Sequence, residues 1–137
     1  MYEAVLFDND GVLVEPPASE TQRAAVREAF RAVGADDPAD DHVRALTAGV
    51  TVEDPEDIAA AHGVDPRALW AAREHHDERS QFEAFRAGNR DRYDDVAALE
   101  DLPHASGIVS NNHHTTIEFL VTTSGGRRRS IPNTAAR

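Results

Sequence analysis

The apolar positions of this chain switch between short unbroken runs and stripes at helical spacing. Ala4, Val5, Leu6 and Phe7 run together and stop at Asp8, which predicts a short buried strand over 4–8. Gly11 permits an unusual turn, Val12 to Val14 read as a second extended piece, and Pro16-Pro17 stop it. A helix is predicted from Ser19, with Gln22 three residues on to complete a capping box. Val26, Ala29, Phe30 and Val33 follow at i, i+3, i+4 and i+7 and form one apolar face, which Gly34 ends.

After an acidic loop over 36–41, a further short helix is predicted over 42–48. Asp54-Pro55 and Asp65-Pro66 each place an N-cap before a proline of the first helical turn. The first of these helices closes at Gly63. The second runs through Trp70, Phe82 and Phe85 to Gly88, and these three aromatics read as helical core rather than substrate contacts. "RYDDVAALEDL" predicts another helix before Pro103, "SGIVS" at 106–110 a second buried strand, and "HHTTIEFLV" the helix after it.

Strand, helical stretch, strand, helix is the order of an α/β sheet carrying a helical insert. The two strands are expected side by side and parallel, joined by a right-handed crossover, with Asp8 and Ser110 at the same end.

The length of 137 residues fits one domain, or one domain with an insert, and 40% hydrophobic residues allow a modest core. Twenty-five acids against 14 bases leave a formal −11, and every base is arginine. That balance argues against nucleic acid as a partner, since a phosphate backbone needs a basic face. An acidic, lysine-free chain fits a salt-rich, halophilic cytoplasm where self-repulsion is screened, and a biased genome yields the same composition. Without cysteine there are neither disulfides nor thiolate metal sites. No signal-peptide pattern and no membrane-length apolar run are present, so a soluble cytoplasmic protein with no membrane partner is expected.

Charge is unevenly spread. Residues 1–121 hold 25 acids and 10 arginines, a formal −15, whereas 122–137 hold 4 arginines and no acid, a formal +4. The tail has no apolar periodicity and is expected to be disordered and non-native in origin. Its Arg127-Arg128-Arg129 run is alternatively a small patch for an anionic partner.

Asp8 and Asp10 carry the candidate chemistry. At the carboxyl end of a buried parallel strand, loops open onto the crevice where ligands bind. Two carboxylates there divide two tasks: one stays ionised and attacks, and its charge favours the proton staying on the other, which then donates it. A divalent cation would offset their repulsion, and hard oxygen ligands suit magnesium.

In its setting, "FDNDGVLV" resembles the first motif of the haloacid dehalogenase-like (HAD) hydrolase superfamily. "GIVSNN" resembles the second, and the helical stretch between them resembles a phosphoglycolate-phosphatase-like cap. The resemblance implies an incomplete Rossmannoid parallel sheet, N-terminal strands only, with an inserted α-helical cap. It divides the chain into a partial core of residues 1–15 and 92–121, a cap of 16–91 and the tail 122–137. It also implies a magnesium-dependent phosphatase of a small phosphorylated metabolite, working through an aspartyl-phosphate. Asp8 matches the nucleophile and Asp10 the general acid/base, with magnesium held by the Asp8 side chain and the Asp10 carbonyl. Ser110 would hydrogen-bond the phosphoryl oxygens, and Asn111 would offer its backbone N–H to the same phosphate.

The chain also departs from the superfamily pattern. It has no lysine, and no acid follows Glu118, so the later cationic and acidic motifs have no counterpart. It therefore reads as a C-terminally truncated member with little or no activity by itself. An inactive fragment or interaction remnant is the alternative of a different class. A haloacid dehalogenase is a second enzyme reading, weakened by Asp10, and a mutase is a third. Several residues also have ordinary structural readings: Ser110 as a helix N-cap, Asn111-Asn112 as capping residues, and the pairs His75-His76 and His113-His114 as solvated or core histidines.

Overall fold

The computed structural model describes residues 3–48, 54–110, 112 and 114–122. It is mixed α/β. In chain order it holds β1 (Ala4–Phe7), α1 (Ser19–Ala32), α2 (Asp40–Ala48), α3 (Pro55–Ala61), α4 (Pro66–Arg86), a 3-10 helix (Asp94–Asp101), β2 (Ala105–Ile108) and α5 (His114–Thr122). Residues 123–137, with Arg127 to Arg129 and nearly all of the proposed tail, lie outside the described residues. Two compact units form. One is Ala18–Ser80, and the other joins Met1–Pro17 to Gln81–Arg137, so the division falls within α4.

The helical unit is built on the α1 stripe. Val26 and Phe30 are buried with Ala35, Val43, Leu46, Ile58, Ala59 and Leu69 in one cluster. Gly34, at φ +90°, reverses the chain after α1, and the Ala35 N–H donates to the Phe30 carbonyl at 2.9 Å. The expected capping box does not form. Ala18 is the N-cap with no side-chain hydrogen bond, because Ser19 is already inside the first turn.

The later caps follow the sequence closely. Asp54 accepts the Glu56 N–H at 2.9 Å, and Asp65 accepts the Ala68 N–H at 2.8 Å. Trp70 corrects an expectation: it is 41% exposed, and Leu69 takes the buried position beside it. The Arg73 guanidinium lies 5.3 Å from the Trp70 ring centroid, which lets the indole remain at the surface.

In the strand unit β1 and β2 pair in parallel, with Ala4 opposite Ala105 and Phe7 opposite Ile108. Neither strand is fully buried, contrary to the reading of their apolar runs. Leu6 is 68% exposed and, just past β2, Val109 is 58% exposed. Phe7 and Ile108 instead pack against a cluster of Leu13, Val14, Phe85 and Val96. The sheet has two strands among the described residues, and alternation sends every second side chain away from that cluster.

Three further expectations are corrected in this unit. Val12 to Val14 do not extend, because the N–H groups of Val12, Leu13 and Val14 all fold back onto the Asn9 carbonyl, at 3.2, 2.9 and 3.2 Å. The helix over 92–102 is a 3-10 helix, and its Val96 and Leu99, three residues apart, both meet the cluster, as three residues per turn requires. Phe82 and Phe85 belong here rather than to the helical core, with Phe82 4.2 Å from Phe119 between ring centroids.

Candidate functional site

The parallel register fixes which ends meet. The Val109 N–H donates to the Phe7 carbonyl at 2.8 Å, continuing the ladder one step past β2. Asp8 and Ser110 therefore follow the two strands at the same end of the sheet. Asp8 is exposed, and its Oδ1 accepts the Asn9 N–H at 2.8 Å. Gly11 completes the turn at φ +77°, a conformation that favours glycine, and donates to the Val14 carbonyl at 2.8 Å.

Asn9 is the pin of this turn. It is 2% exposed, its carbonyl gathers the N–H groups of Val12, Leu13 and Val14, and its Nδ2 donates to Asp10 Oδ1 at 2.9 Å. Asp10 is further engaged on both oxygens. Arg90 Nη2 donates to Oδ1 in an ion pair, and Asn112 Nδ2 donates to Oδ2 at 2.9 Å. The Asn112 backbone N–H in turn donates to Ser110 Oγ at 3.1 Å. One hydrogen-bonded chain thus runs from Arg90 and Asn9 through Asp10 and Asn112 to Ser110.

Arg90 is itself fixed on every side. Its Nη1 donates to Gln81 Oε1 at 2.8 Å, its Nε donates to the Glu15 carbonyl, and its guanidinium carbon lies 5.3 Å from the Phe85 ring centroid. The segments that carry it are stitched together. The Glu15 N–H donates to the Asp91 carbonyl at 2.9 Å, and the Asp91 N–H donates to Glu15 Oε2 at 3.1 Å. Burial pushes the neighbouring Arg92 guanidinium below its ordinary value, with Asp91 and Glu100 acting in the opposite direction.

Of the residues singled out in the sequence, Asp10 and Ser110 share this network. Asp8 joins it through the Asn9 backbone amide. Asn111 lies outside the described residues. The charged partner of Asp10 is Arg90, eighty residues away, which no local pattern announces. Asn112, expected as a capping residue, instead has its side-chain amide on Asp10. Asn9 was legible only as the spacer between two aspartates. Its burial follows from the turn, which points the intervening residue inward.

In the helical unit, His42 Nδ1 and His62 Nε2 stand 2.8 Å apart, and the His62 ring meets Phe30 edge-on at 4.9 Å. Burial lowers the His62 pKa, and the neighbouring His42 lowers it further. His75 and His76 are exposed and half-buried, with centroids 5.3 Å apart. Among the described residues no group of three or more His, Cys, Asp or Glu side chains is arranged to hold a metal ion. Among them, too, no helix is long and apolar enough to cross a membrane. No protein-family model, no curated protein and no solved structure matches the chain.

Proposed function

We propose that the shared end of β1 and β2 is the catalytic end of a HAD-like, magnesium-dependent phosphomonoester hydrolase for a small phosphorylated metabolite of phosphoglycolate type. In this reading the paired strands belong to a Rossmannoid parallel sheet and the helical insert is its cap. One observation carries it: a parallel register that brings Asp8 and Ser110 to one strand end, with Asp10 hydrogen-bonded towards Ser110 through Asn112. A ligand crevice at the carboxyl ends of parallel strands is the general expectation for such sheets.

Each residue then has a defined task. An Asp8 carboxylate oxygen attacks phosphorus, and the bond to the alcohol oxygen breaks. Asp10 gives its proton to that leaving oxygen. Water next attacks the phosphorus of the aspartyl-phosphate and returns a proton to Asp10, which releases inorganic phosphate and restores Asp8. Ser110 hydroxyl donates to a phosphoryl oxygen. The magnesium donors would be the exposed Asp8 carboxylate and the Asp10 carbonyl, an all-oxygen set that suits an ion retaining several waters. When bound, the ion supplies positive charge against the phosphoryl oxygens.

A second reading has its own observation. Asp10 accepts hydrogen bonds on both oxygens, as a carboxylate built into the fold would, and the same turn then serves an interaction module without turnover. Binding of beryllium fluoride, a phosphoryl mimic, separates the two. Magnesium-dependent binding seen by 19F NMR, lost in Asp8→Asn and on chelation, supports the hydrolase. Slow turnover of a generic phosphate ester with the same two dependences, assayed at low and high salt, supports it further. Absence of both signals at either salt favours the module.

A further inference from the structure

The Arg90 side chain is buried and held at each of its nitrogens, and no step of the hydrolysis falls to it. It is 2% exposed. All three guanidinium nitrogens donate: Nε to the Glu15 carbonyl, Nη1 to Gln81 Oε1 and Nη2 to Asp10 Oδ1. Its face lies over Phe85. A guanidinium so enclosed cannot reach a substrate without leaving its site, so a direct phosphate-binding role does not fit.

What it does fix is one oxygen of Asp10. Arg90 and Asn9 both donate to Oδ1, whereas Oδ2 takes Asn112 Nδ2. The Asp10 side chain remains 33% exposed. Two donors anchored in the fold therefore hold Oδ1, and the carboxylate turns Oδ2 towards the Asn112 side chain. A planar, three-point fork holds that orientation in a way a lysine ammonium cannot, because the latter is a single donor centre on a flexible stem.

We propose that Arg90 is a positioning residue: it anchors Asp10 by Oδ1 so that Oδ2 is the oxygen that gives and receives the proton. The proposal rests on the reading of Asp10 as the general acid/base. Its geometric half, the anchoring of Asp10, stands or falls independently of turnover.

The test uses the full chain and begins without any mutation. In the wild type, the Arg90 Nη groups are expected as separate, slowly exchanging resonances. A single averaged Nη signal, the mark of a freely rotating guanidinium, overturns the proposal. In Arg90→Lys, the side-chain amide signals of Asn9 and Asn112 are expected to move towards those of free amides, while the Val109 amide keeps its exchange protection. Unchanged Asn signals overturn the proposal. If Val109 protection is lost as well, the variant has lost its fold and the wild-type Nη measurement decides.

Where the wild type turns over, Arg90→Lys is expected to lower kcat on the order of 100-fold with KM changed by less than about twofold. An unchanged kcat overturns the proposal. Moved Asn signals in a chain that neither binds beryllium fluoride nor turns over uphold the anchoring and refute the hydrolase reading.

Discussion

The two units solve the problem of a small core in different ways. The helical unit buries hydrocarbon: Phe30 and Val43 are 0% exposed, and Leu46 and Ile58 are 1% exposed. Among the described residues the strand unit buries less of it, in Leu13, Val14, Phe85 and Val96, of which Phe85 retains 9% exposure. The buried polar side chains show the reverse. Among the described residues these are Asn9, Gln81, Arg90 and Thr116, and all four belong to the strand unit. Apolar packing is non-directional and tolerates exchange of similar shapes, whereas a buried polar network demands a partner for each donor and so fixes orientation. From this difference, stability is expected to rest mainly on the first unit and geometric precision on the second, where the candidate site lies.

The largest break in this comparison comes from Phe30→Ala. It removes a fully buried ring and is expected to cost about 3–5 kcal/mol, read as loss of helical signal at lower denaturant. The Val109 amide in the strand unit should retain most of its exchange protection. Equal loss in both units would show that stability is not divided as described.

Asn9→Ala attacks the polar side. It removes the Nδ2 donor to Asp10 and is expected to cost about 1–2 kcal/mol, less than the ring because Asp10 remains partly solvated. Its distinguishing mark is a shift of the Asn112 side-chain amide, reported by NMR. A loss of stability without that shift would mean that Asn9 acts on the turn alone.

Ala18→Asp works in the opposite direction. Ala18 is an N-cap with no side-chain bond, so an aspartate there should stabilise the helical unit by about 1 kcal/mol, measured as a higher unfolding midpoint. No gain would indicate that the entry to α1 lacks the geometry for a cap.

The smallest effect is one of pH. His62 has a lowered pKa in the fold, so below about 6.5 the unfolded chain binds more protons than the folded one. Its contribution is fully present above that pH and is lost as the pH falls towards the folded value. The midpoint of the helical unit should therefore drop on acidification, and His62→Gln should flatten that dependence. A midpoint independent of pH between 5 and 7.5, on the order of the histidine range, would remove the His42–His62 pair from the account.

Residues whose partners lie within one or two turns were legible from the sequence. The Asp54-Pro55 and Asp65-Pro66 starts, the Val26–Phe30 stripe and the stop at Gly34 appear where the pattern puts them. The parallel pairing of the two apolar runs was legible too, because each ends in a polar residue, although the strands observed are Ala4–Phe7 and Ala105–Ile108. The N-cap of α1 falls at Ala18, one position before the Ser19 of the sequence pattern, a shift small enough for chain entry to decide.

Tertiary structure alone decided which apolar runs stay covered and which polar residues go inside. Leu6 and Val109 look like core and are exposed, because burial of a strand depends on what lies across each face. Arg90 and Asn9 look like surface and are buried, because their partners arrive from residues 10, 15 and 81, far along the chain or across a turn. Hydrophobic periodicity records what a residue prefers on average, and a buried ion pair exists only where the fold brings both halves together. Asp8, Asp10 and Ser110 could be named from their neighbours in sequence, but the ion-pair partner of Asp10 is an arginine eighty residues away.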